Sequence, residues 1–86
     1  FKTKKQAESA LAYAQLTQLM ALPCYNGDWK ADWNGATQNH VIERYGNEIS
    51  KDYYSKVFSP IAFKSEEARD AFLENHQELL KQYFQL

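Results

Sequence analysis

The sequence predicts an α+β fold in the order α-β-β-β-α, a three-stranded antiparallel sheet packed on two helices. Three observations carry this. Residues 3–22 and 65–85 are runs of good helix formers, and neither contains Gly or Pro. Between them lie short segments rich in Val, Ile, Tyr and Phe, two of which flank Gly46-Asn47. The length of 86 residues supports one modest core, so residues 1–86 are expected to form a single small domain.

In the first helix, Ala12, Leu16, Leu19 and Met20 recur on one face, and Tyr13 and Pro23 extend that line. Thr3 followed by Gln6 matches a capping box, and Pro23 supplies the stop. Lys4 and Lys5 sit in the first turn, where the helix dipole disfavours cations by a few tenths of a kcal/mol. Residues 23–38 read as a loop with two strong turn signals, Asn26-Gly27 and Asn34-Gly35. Its length is unusual for a plain connection and points to a packed or functional segment.

The first strand is expected over 39–45 and the second over 48–54, with Gly46-Asn47 as the hairpin turn. A third is expected over 57–63, at an edge or bulged because Pro60 interrupts it. The second helix, 65–85, is capped by Ser65, with Glu66 and Glu67 in the first turn. Ala68, Phe72, Leu79, Tyr83 and Leu86 share one face, with Ala71, His76 and Leu80 beside them.

Ten basic and eleven acidic residues leave a formal charge of -1, which excludes a strongly basic nucleic-acid wrapper and a polybasic membrane arm. Apolar residues make up 44% of the chain, a globular composition, yet no run approaches the ~18–20 residues of a membrane span. The lone Cys24 forms no internal disulfide and cannot alone build a zinc site. A single cysteine favours a reducing compartment, so a cytoplasmic location is expected, without membrane or metal. The first helix is basic and the last acidic, a distribution suited to mutual attraction.

Phe1-Lys2-Thr3 and Phe63-Lys64-Ser65 echo one another as aromatic, lysine and hydroxyl cap. Phe1, standing where a gene product would have Met, is then expected to end a strand whose earlier residues belong to a missing N-terminal segment. The segments FKTKKQAESALAYAQLTQL (Phe1 to Leu19), DWKADWN (Asp28–Asn34), HVIERYGN (His40–Asn47) and AFKSEEARDAFLENHQELLKQYF (Ala62 to Phe84) cover most of the chain. In these the sequence resembles a family of small uncharacterised proteins from gut Bacteroides genomes and their phages or prophages. The resemblance implies an accessory protein of a mobile element and carries over no catalytic residue.

The least ordinary feature is the repeat Asp28-Trp29 and Asp32-Trp33. Its four-residue spacing would place both indoles on one side of a helical turn, as a platform for a partner or a base. Alternatively, the tryptophans fold back over the small core and fasten the loop. Along the first strand, alternation sets His40, Ile42 and Arg44 on one face and Val41, Glu43 and Tyr45 on the other. Arg44, Tyr45 and Tyr54 complete the candidate binding set with Trp29 and Trp33, against the alternative of ordinary cross-strand pairs.

Other chemistry lacks parts. A calcium loop beginning at Lys30 fails, with Lys in place of the first carboxylate and Val41 in place of the closing Glu. Cys24 follows a helix C-terminus, the wrong end for an activated thiolate, and is expected to pack. His76 is expected to be structural, and the carboxylates of the last helix a solvated face. Gly-rich phosphate loops and nucleophile elbows are missing from the sequence. The expectation is therefore a non-catalytic protein-interaction module without cofactor, including self-association, docking through a sheet edge or the aromatic loop. The alternative is single-stranded nucleic-acid binding through Trp29, Trp33, Arg44, Tyr45, Lys51 and Tyr54. It requires the basic side chains, Lys2, Lys4, Lys5, Arg44 and Lys51 among them, to gather beside the tryptophans.

Overall fold

The computed structural model describes residues 3–86, so the expectations for Phe1 and Lys2 lie outside the described residues. The order is α1 (Lys4–Met20), β1 (Asn39–Tyr45), β2 (Glu48–Tyr54), β3 (Ala62–Phe63), α2 (Glu66–Asn75) and α3 (Gln77–Phe84). This is the α+β arrangement expected, with its last helix divided in two.

The caps act as the sequence implies. Gln6 N–H donates to Thr3 Oγ1 at 3.0 Å, and Ala68 N–H donates to Ser65 Oγ at 3.1 Å. α1 ends at Met20, with Ala21 as its last cap, because a residue before Pro23 is pushed away from helical geometry. Gly46 turns the β1–β2 hairpin at φ +63°, a conformation that glycine adopts without strain.

β1 lies at the centre of an antiparallel sheet in the order β2-β1-β3. Ile42 pairs with Lys51, and Val41 pairs with both Asp52 and Ala62. Ile42 and Phe63 face the helices and join Leu16, Phe72 and Leu80 in the core. Phe72 sits against Phe63 and edge-on to Tyr25, each at 4.9 Å between centroids.

Three elements depart from expectation. The third strand covers only Ala62–Phe63, because residues 57–61 leave the sheet around Pro60, whose ring fixes φ at roughly -65° and restricts the residue before it. Ile61 O still accepts from Ile42 N–H at 3.0 Å, so the pairing begins one residue early without regular geometry. The long last helix breaks at His76 (φ -133°, ψ 36°), whose ring packs on Phe72 and Tyr25. The break lets α2 lie on the sheet while α3 lies along α1. As a result Leu80, expected beside the apolar face, becomes fully buried, whereas Leu86, expected on that face, and Ala71, expected beside it, are exposed. Cys24 is also exposed, because the turn after α1 sends its neighbours Tyr25 and Asn26 inward instead.

α1 and α3 meet through Tyr13 stacked on Tyr83 at 5.3 Å and through Ser9 Oγ donating to Tyr83 O at 2.6 Å. Burial, followed by the nearby Tyr13, pushes the Tyr83 phenol up from its ordinary value. Among the described residues no ion pair joins α1 to α2 or α3, so the opposite charges of the first and last helices do not pair directly.

Candidate functional site

The loop between α1 and β1 is built on side-chain amides. Asn39 is fully buried at the start of β1. Its Oδ1 accepts from Asp32 N–H at 3.2 Å, and its Nδ2 donates to Asp32 O at 2.7 Å and to Tyr54 O at 3.1 Å. Asp32 Oδ1 then accepts from Asn34 N–H at 3.1 Å, and Asn34 Oδ1 from Ala36 N–H at 2.9 Å, two Asx turns in succession. Gly35, at φ +95°, donates to Ser55 O at 2.9 Å. That left-handed φ is what favours glycine here, since the nearest neighbour of an added Cβ would be the movable end of the Lys56 side chain.

The Trp29–Trp33 stretch is therefore irregular chain held by Asn39, not a helical turn. The four-residue spacing nevertheless leaves both indoles on one concavity. An open hollow of about 560 Å³ lies between the C-terminal half of α1, this loop and residues 58–62. Its wall includes Trp29, Trp33, Tyr13, Phe58 and Pro60. Trp33 meets Phe58 edge to face at 5.5 Å. Both tryptophans are half-buried, and neither belongs to the core cluster. Both rings line the hollow, and Trp33 also ties the loop to Phe58. Lys30 is the only charged side chain of its wall among the described residues.

The other expected site residues lie elsewhere. Arg44 donates through Nε to Gly46 O at 2.7 Å and through Nη1 to Phe84 O at 3.0 Å, tying the hairpin to the end of α3. Tyr45 is 79% exposed on the opposite face. Tyr54 stands across from Asn39, six positions along β1 from Tyr45, or roughly 20 Å at strand rise. Its phenol donates to Glu43 Oε1 at 2.7 Å. That bond, with burial and the charges of Glu43 and Asp52, pushes the phenol up to about 12. The five expected residues thus divide into a tryptophan pair and three residues with separate surroundings.

The cations are dispersed as well. Lys51 Nζ lies 3.6 Å from Asp70 Oδ1, across the sheet from the hollow's loop. Lys4 and Lys5 stand at the far end of α1, about 25 Å long at helical rise. Among the described residues no three His, Cys, Asp or Glu side chains gather as a metal ion would require, and no helix is long and apolar enough to cross a membrane.

Sequence reasoning missed Asn39 and Phe58. Asn39 carries no sequence signal of its own, since His40, Glu43 and Arg44 make β1 polar at several positions, and the strand expected over 57–63 does not form at Phe58. The chain matches no protein-family model, no curated protein and no solved structure.

Proposed function

We propose that the protein is a non-catalytic interaction module that docks an apolar side chain of a partner protein in the Trp29–Trp33–Phe58 hollow. The carrying observation is an open aromatic concavity set by the hydrogen bonds of the buried Asn39 side chain and left outside the core. Half-exposed Trp, Tyr and Phe are the residues that dominate protein interfaces. The apolar surface continues onto Val57 and Phe58, exposed at 60% and 68%, which favours a protein surface over an enclosed small molecule. Lys30 at the wall suits an acidic group beside the docked side chain.

Selection of a displayed random-peptide library on the immobilised chain tests this. Apolar peptides with a neighbouring carboxylate should be enriched and should lose roughly tenfold or more in affinity against Phe58→Ala, by analogy with interface aromatics. Phe58 is exposed, so circular dichroism of that variant should match the parent. Peptides that bind both forms equally would remove the hollow from consideration. Single-stranded nucleic-acid binding is the second reading. The two tryptophans favour it as stacking surfaces, and the dispersal of the cations opposes it.

A further inference from the structure

The two edges of the sheet are treated differently. Ile42 N–H points to β3, so its partner in β2, Lys51, aims its own backbone groups away from β1. By alternation, Ile49, Lys51 and Tyr53 present their N–H and C=O groups along the outer edge of β2. Tyr53 N–H is taken by Asp52 Oδ1 at 2.8 Å. Among the described residues the N–H groups of Ile49 and Lys51 and the three carbonyls meet no partner. At the β3 edge the side chain of Asn26 takes the place of a strand. Its Nδ2 donates to Ala62 O at 2.9 Å and its Oδ1 accepts from Lys64 N–H at 3.0 Å. One edge is closed and the other is a rail of about seven residues.

Side chains beside the open rail specify what it would accept. On the face away from the helices, Glu48 and Asp52 are exposed along the edge, with Glu43 behind them on β1. On the helix face, a hollow of about 580 Å³ opens beside Ile49, with Leu73 and Leu86 among its lining residues. A second copy of this chain is a poor occupant. A two-fold axis normal to the sheet pairs residues of equal parity. The three such registers with the longest overlap set Lys51 against Lys51, Asp52 against Asp52, or Glu48 against Asp52. Like charges directly opposite destabilise strand pairing.

We propose that the free edge of β2 binds an extended basic segment of a partner protein by strand addition, with Lys or Arg side chains opposite Glu48 and Asp52 and an intervening apolar side chain in the hollow at Ile49, Leu73 and Leu86. Backbone hydrogen bonds to Ile49 and Lys51 supply affinity, and the acidic face and the hollow supply selectivity. The site is separate from the aromatic hollow and does not depend on it.

The probe is a short synthetic peptide alternating Lys with Val, titrated into the labelled protein and followed by amide shifts and hydrogen exchange. The expected result is protection of the Ile49 and Lys51 amides, weakening as salt rises to about 200 mM. A peptide alternating Glu with Val should not bind. Glu48→Gln with Asp52→Asn should weaken binding roughly two- to thirtyfold, the span expected for two cross-strand charge pairs. Lys51→Pro removes an outward N–H without touching the β1 ladder and should abolish binding, whereas Lys51→Gln should retain it. The same peptide N-methylated at alternate residues checks the backbone requirement without altering the protein. Equal binding of the acidic or N-methylated peptide, shifts confined to Trp29 and Trp33, or no shift at millimolar peptide would each overturn the proposal. Loss of peptide binding on Phe58→Ala would assign it to the aromatic hollow instead.

Discussion

Asn39 carries more of the structure than its size suggests. One carboxamide, itself fully buried, satisfies both backbone groups of Asp32 and one carbonyl of Tyr54. Asn39→Ala leaves those groups to find solvent by opening the loop. It should cost about 2–3 kcal/mol in urea unfolding, the net contribution of three lost hydrogen bonds. Tryptophan emission should shift to the red as Trp29 and Trp33 lose their wall. Tyr54 gives a test in alkali. Its folded value of about 12 lies above the ordinary 10, so the bond to Glu43 contributes fully below pH 10 and is lost as pH rises through 12. Tyr54→Phe should therefore flatten the fall in stability between those values, measured by denaturant midpoints against pH.

At the scale of elements, α2 is fastened to the sheet by charge as well as by Phe72. Arg69 is buried and donates to Asp70 Oδ1 at 3.0 Å and to Asp52 O at 3.1 Å. Burial alone would raise the Asp70 carboxyl, but the Arg69 hydrogen bond and charge, with Lys51, hold it below its ordinary 3.8. The stability it lends is complete above that value and declines as pH falls through the lower folded one. Asp70→Asn should flatten the acid limb of the stability profile below pH 4, a comparison made by thermal melts. The hairpin and both N-caps were legible in the sequence because each rests on neighbours in the chain: Thr3 with Gln6, Ser65 with Ala68, and glycine at position 46. The break at His76 was not legible, because no Gly or Pro marks it. It follows from a ring wedged between Phe72 and Tyr25, residues that sequence alone does not bring together. The end of strand pairing at Pro60 was half legible, since proline announced an interruption without saying which residues would rejoin. For the candidate site, the tryptophan pair was visible as a repeat, but its wall at Phe58 and its anchor at Asn39 depend on the closed tertiary structure.

Across the whole molecule, a near-neutral total charge hides an uneven one. Lys30 stands at the aromatic hollow, while Glu43, Glu48 and Asp52 share the open side of the sheet. A mixed-sequence single-stranded oligonucleotide should leave tryptophan emission unchanged at low salt, because one cation beside two indoles supplies too few phosphate contacts. Quenching at low salt that disappears at about 200 mM would instead promote nucleic acid over protein as the partner. The two proposed surfaces lie on different parts of the fold, one between α1 and the loop and one along β2, so one chain could join two protein segments at once.

The paired turns at Asn26-Gly27 and Asn34-Gly35 bear on chemical ageing. Asparagine before glycine loses its amide when the glycine nitrogen attacks the side-chain carbon. Here Gly27 N–H is engaged by Leu22 O at 3.0 Å and Gly35 N–H by Ser55 O at 2.9 Å. Both nucleophiles are held by the fold, so deamidation should be governed by unfolding rather than by the native state. When it reaches Asn26, the new carboxylate faces the carbonyl of Ala62, and the closed edge of the sheet loses its guard. An old preparation would then expose both edges, and the clock for that change is set by the molecule's own stability.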